Sequence, residues 1–158
     1  MRWIYGSTLL VAFSLFACQS NVHFEKSYAF DQAVWSHADT LDFTFEITDT
    51  TQLFDIILDV EHATDFPMQN LYVQFYTQFP TGLRLSKLVS LELADKTGVW
   101  FGSCNADDCR VRIPLQNGAF FNETGSYTIT VEQYTRQADL RGVQSMGLAI
   151  EKSQPSKK

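Results

Sequence analysis

Few side chains in this sequence are of types that do chemistry, and their spacing decides what chemistry is open to them. Cysteines stand at positions 18, 104 and 109. Cys104 and Cys109 enclose Asn105-Ala106-Asp107-Asp108, a polar stretch that reads as a loop. Two thiols beside two aspartates admit a disulfide or a metal site. Soft thiolates and hard carboxylates suit different metals, and no further cysteine or nearby histidine completes a ligand set. An even pair in an exported chain favours the disulfide. Closing so short a loop contributes about 2 kcal/mol.

Catalytic constellations are not found. His23, His37 and His62 are the three histidines, and none pairs with a second ligand at helical metal-binding spacing. No Gly-x-Ser-x-Gly elbow and no glycine-rich phosphate loop is present. Asp55, Asp59, Asp107 and Asp108 are the nearest thing to paired acids, but alternating acids on a strand are more often its solvated face. The expectation is therefore a non-enzyme with no catalytic residue, no metal and no cofactor.

Cys18 closes an apolar run from Trp3 to Phe16 that follows the charged start Met1-Arg2. A charged start, an apolar stretch and the small residue Ala17 make a secretory signal peptide. The run is shorter than the roughly 20 apolar residues a bilayer span requires. Leu15-Phe16-Ala17-Cys18 resembles the lipobox of bacterial lipoproteins, with Phe16 bulkier than the usual residue there. On that reading the mature chain begins at Cys18, and acyl chains on this residue hold it to a membrane. The alternatives are an ordinary signal peptide with a free cysteine near the cut, or a cytosolic protein with an apolar first helix.

Cleavage at Cys18 removes Arg2 from the 12 basic residues, leaving 11 against 18 acidic ones and a net charge of −7. Nucleic-acid binding leans on a basic footprint, so this balance argues against it. It argues equally against electrostatic docking on anionic lipid. Residues 19–158 are a normal length for one domain with a core of its own.

The elements that must carry these residues are strands. Leu41, Phe43, Phe45 and Ile47 alternate with Asp42, Thr44 and Glu46. Phe54, Ile56, Leu58 and Val60 repeat the pattern. From Asn70 to Phe79, Leu71, Val73 and Phe75 take one face and Tyr72, Gln74 and Tyr76 the other. Further strands are expected over 83–93, at Val99-Trp100-Phe101, at Arg110–Ile113 with Pro114 at the strand end, over 125–133 and over 143–151. The stretch 29–35 is a short strand or a helical turn. About eight short strands at regular spacing read as an all-β fold, a two-sheet antiparallel β-sandwich of jelly-roll or immunoglobulin-like type. Gly125-Ser126-Tyr127 is either a plain turn or a tyrosine corner, whose hydroxyl bonds backbone a few residues upstream.

Tyr72, Tyr76 and Trp100 are the candidate binding surface, because exposed rings stack on sugars. The competing reading is a second buried layer, since 22 aromatic residues must be housed somewhere.

The order and spacing of several segments is similar to the gliding motility lipoproteins of the GldH type found in Bacteroidota. These are Phe66-Pro67-Met68-Gln69-Asn70-Leu71-Tyr72, Pro80-x-Gly82, Leu93–Gly102, Gly125-x-Tyr127, Gln133 with Arg136, Leu140-x-Gly142 and Met146–Lys152. The resemblance covers most of residues 22–152. It implies an outer-membrane-associated lipoprotein needed for surface gliding and linked to the type IX secretion apparatus, with other envelope proteins as partners. It carries no catalytic residues to transfer. Where the family loop after the tryptophan tends to be glycine-rich, this chain has Cys104 and Cys109.

The organisation expected is a signal peptide over 1–17, a lipidated Cys18 and tether over 18–24, a sandwich over 25–152 and a polar tail over 153–158. The resemblance implies a phylum whose surface-exported lipoproteins often carry acids soon after the lipidated cysteine; no acid follows Cys18 until Glu25, so the expectation is a domain facing the periplasm from the outer membrane. The rival to an accessory envelope component is a lipid-anchored module binding carbohydrate or peptidoglycan, the less favoured partner.

Overall fold

A computed structural model describes residues 21–154. Cys18 and the leader before it lie outside the described residues. Eight long strands form: β1 (Val22–Ala29), β3 (Leu41–Ile47), β4 (Phe54–Ala63), β5 (Asn70–Gln78), β6 (Arg84–Glu92), β8 (Asp108–Ala119), β9 (Gly125–Gln133) and β11 (Val143–Lys152). Three short ones join them: β2 (Val34–Ser36), β7 (Ser103–Cys104) and β10 (Asp139–Arg141). A single 3-10 turn at Asp31–Ala33 runs into β2, so the stretch 29–35 holds both structures foreseen for it.

The strands build an antiparallel sandwich. One sheet has the order β1-β11-β4-β8-β7 and the facing sheet β3-β9-β5-β6, while β10 and β2 form a small ribbon at one end. The alternation of β3 shows why. Leu41, Phe43, Phe45 and Ile47 are buried and the residues between them are exposed. Each such side chain contributes roughly 1.5–3 kcal/mol when taken out of water. The same period places Leu71, Val73 and Phe75 of β5, and Leu58 and Val60 of β4, in the core between the sheets. Antiparallel sheets with one wet face read in this way.

Tyr127 is buried, and its hydroxyl donates to the Glu123 carbonyl at 3.0 Å. That is the tyrosine corner, closing the crossing from β8 to β9. At the other end, Gln133 is buried and donates through Nε2 to the carbonyls of Gln137 at 3.0 Å and Ala138 at 3.2 Å. Trp35, fully buried beside it, donates to the Asp39 carbonyl at 3.0 Å.

The two long sides of the sandwich are not equivalent. Between β1 and β3 it is laced shut: Tyr28 donates to the Asp42 carbonyl at 2.7 Å, Lys26 to the same oxygen at 3.0 Å, and the His23 ring meets the Glu46 carbonyl at 2.7 Å. Between β6 and β8 no strand bridges the sheets, and a groove of about 440 Å³ opens over Ile56, Phe79, Leu85 and Phe120.

Three local expectations are corrected. Val99-Trp100-Phe101 forms no strand; Trp100 makes a single bridge with Ala94 and the chain then bends into β7. Pro114 sits inside β8 rather than at its end. The register against β4 slips beside it, with Ile57 opposite Pro114 and Ile56 opposite Gln116. An irregular ladder on a strand whose other edge is mostly open tolerates the missing N–H. The first strand starts at Val22, inside the segment expected to be tether, because β11 offers it a ladder from Glu151 to Ser145, broken by one register shift between Val22 and Phe24.

Candidate interaction surface

The strand pleat turns Asp59 and Glu61 of β4, Arg110 and Arg112 of β8, and Ser145 and Gly147 of β11 onto the outer face of the five-stranded sheet. The ladder sets them side by side: Gly147 opposes Asp59, which opposes Arg112; Ser145 opposes Glu61, which opposes Arg110. Gly147 has no side chain, so the centre of the face is hollow. A trough of about 560 Å³ results, with Glu25 and Ser27 of β1 on one side and Phe101, Gly102 and Ser103 on the other.

The charges in the trough are arranged in pairs. Arg110 lies 3.8 Å from Glu61, which also accepts from the Ser145 hydroxyl at 3.0 Å. Arg112 is joined to Glu151. Asp59 is pushed up from its ordinary value, chiefly by desolvation, with Arg112 and Arg110 pulling the other way. The result is an amphoteric hollow with one apolar wall. Its ion pairs are exposed and add little to stability.

The wall is set by Gly102. Its φ is +82°, and a Cβ there would stand 2.2 Å from the Arg110 carbonyl oxygen. Only glycine lets the 101–103 backbone lie this close over β8. Beyond it, Cys104 and Cys109 oppose each other across β7 and β8 and are joined as a disulfide, with Cα atoms 4.0 Å apart. The turn they close is ordered by the Asn105 side chain, which accepts from the N–H groups of Asp107 and Asp108, both at 2.8 Å. Among the described residues no cluster of three or more histidine, cysteine or acidic side chains is placed to hold a metal.

The aromatic trio expected as a binding surface divides. Tyr72 and Tyr76 do share the outer face of the four-stranded sheet. Tyr76 is covered by the Arg84 guanidinium, 4.3 Å from its ring centre. Tyr72 remains half exposed and joins Met68, Leu88 and Tyr134 around a shallow depression. Trp100 belongs elsewhere: its indole donates to the Thr64 carbonyl at 3.1 Å and its ring lies 4.5 Å from that of buried His62. His62 in turn donates from Nδ1 to the Ala63 carbonyl at 2.9 Å, so it serves the core.

The geometry can now be set beside known proteins. The chain matches the family model described as GldH lipoprotein over residues 22–150, from the first strand almost to the end of the last. It belongs to the GldH lipoprotein family. A gliding motility lipoprotein GldH homolog of Christiangramia forsetii is 23% identical over 126 residues, covering 75% of this chain and 78% of the relative. A solved structure of infectious bursal disease virus, Gx strain, aligns over 96% of the chain and 34% of the viral one, at 14% identity and a TM-score of 0.27, a likeness too weak to carry an argument. Leu93–Gly102 is the crossing from the four-stranded to the five-stranded sheet. It delivers Phe101 to the trough and lays Trp100, partly buried, against the core.

The trough itself went unforeseen. Asp59 reads as part of a solvated strand face, and Arg110 and Arg112 lie about 50 positions away. Only the β4–β8 register, which neither segment encodes alone, brings them together.

Proposed function

We propose that this chain is a lipid-anchored, non-catalytic component of the gliding motility machinery, held at the outer membrane with its sandwich facing the periplasm and working beside the type IX secretion apparatus. The observation that carries the reading is the family match across the whole sandwich, with the lipobox-like Leu15-Phe16-Ala17-Cys18 directly ahead of it. The domain offers charged and aromatic surfaces rather than a reacting group. Confinement to a membrane raises its effective concentration for partners in the same plane, so modest contacts suffice. The trough over Asp59, Glu61, Arg110 and Arg112 is the partner surface we favour.

A glycan-binding role has less to rest on, because Tyr76 lies under Arg84 and Trp100 packs partly buried against the core with its indole N–H bonded to Thr64. The test is crosslinking in living cells from a photoreactive residue at position 103, beside the trough. Capture of an envelope protein, lost on Arg112→Glu, supports the reading. Saturable glycan binding by the purified domain, weakened by Tyr72→Ser, would favour the rival.

A further inference from the structure

We propose that the end of the sandwich nearest Cys18 rests directly on the bilayer, with Leu53, Leu83 and Phe120 as its contacts. The inference rests on the lipoprotein reading of Cys18 and adds an orientation to it. Two crossings between the sheets and one hairpin meet at this end. Leu53 lies between β3 and β4, Leu83 in the turn between β5 and β6, and Phe120 between β8 and β9. Each puts a large apolar side chain into solvent, with exposures of 47%, 55% and 65%. Turns of this kind are ordinarily polar, and the neighbours Thr48–Gln52, Thr81 and Asn122–Thr124 are polar. One apolar tip on each of three separate connections is what insertion into a lipid interface requires.

The chain's own connectivity selects the occupant. Ladder pairs fix β1's start at the same end: Val22 opposes Glu151, and Lys152 opposes Phe54, which opposes Ala119. From Cys18 to Asn21 the chain is three residues long, a reach of at most about 11 Å. Acyl chains on Cys18 therefore hold this end at the bilayer surface and leave no room for a protein layer between. The charges nearby are of both signs, Asp49 and Glu123 against Arg84 and Lys152, which suits a zwitterionic headgroup layer better than a strongly anionic one. Aromatic and aliphatic tips in the interface region are the contacts expected of such seating. β9 runs to the far end, where Tyr134 is nearly as exposed as Phe120 yet stands about 25–30 Å away along the strand.

The experiment uses the full, processed chain in vesicles of phosphatidylethanolamine and phosphatidylcholine. Intact mass is read first to establish acylation of Cys18. Leu53→Cys, Phe120→Cys and Tyr134→Cys then each receive a nitroxide, and depth is read from relative accessibility to oxygen and to a water-soluble nickel chelate. Labels at 53 and 120 are expected to favour oxygen, and the label at 134 the chelate. Use of two reporters at the seated end covers a variant that fails to fold. An acylated protein whose labels at 53 and 120 are as water-accessible as that at 134 overturns the seating alone. An unacylated Cys18 overturns the lipoprotein reading and the seating with it.

Discussion

Tyr127 reaches back to the carbonyl of Glu123, four residues upstream, and in doing so fixes where the chain leaves the β8 side of the sandwich and enters β9. The ring is stacked against Phe45 and meets Phe79 and Phe121 edge-on, so position and hydrogen bond are enforced together. Tyr127→Phe keeps the rings and removes one bond to a carbonyl near solvent. The expected loss is about 1 kcal/mol, read as a lower urea midpoint with an unchanged slope.

Gly102 should tolerate no side chain. With φ at +82° and the Arg110 carbonyl 2.2 Å from where a Cβ would stand, Gly102→Ala must push the 101–103 backbone off β8. A loss of about 2 kcal/mol or more is expected in chemical denaturation. Gly82, also at positive φ but with open space around it, is the comparison: Gly82→Ala should cost about 1 kcal/mol.

Asp59 and Asp95 should respond to pH in opposite senses. Desolvation raises the Asp59 carboxyl in the folded state. Its ionisation therefore weakens the fold as pH climbs from the ordinary carboxylate value through its raised one. Asp59→Asn should gain on the native chain between pH 3 and pH 7. The Asp95 carboxyl is lowered, first by the Thr97 hydroxyl and then by backbone N–H groups, including that of Val99 at 3.0 Å. Its contribution is present above the ordinary value and lost as pH falls through the lowered one. Asp95→Asn should lose on the native chain over the same interval. Urea midpoints at the two pH values check both signs.

The Cys104–Cys109 bridge closes a turn already ordered by Asn105. Cys104→Ala with Cys109→Ala should leave the sandwich folded and lower its stability by about 2 kcal/mol, with intact β-sheet circular dichroism. Complete unfolding on loss of the bridge would contradict this.

Much of the fold was legible because one face of most strands is buried. The strict alternation of β3 and β5 announces both the strand and its inward side. β1 was harder. It is an edge strand whose Phe24 and Tyr28 are only half-buried, so its residues lack a clean period, and its first three, Val22 to Phe24, read as tether. Pro114 misled in the other direction, since a proline reads as an end and here sits at a register slip. Trp100 looked like a surface ring because nothing local shows that Thr64 and His62 lie behind it. The trough depends on residues from five strands, and only their pairing makes a site of them.

The account as a whole turns on Cys18. Intact-mass analysis of the native protein, taken from the membrane fraction, addresses it directly. A chain beginning at Cys18 and carrying the added mass of a diacylglycerol and further acyl groups is predicted. An unmodified chain recovered from the soluble fraction, with Cys18 free or the leader still in place, would contradict it.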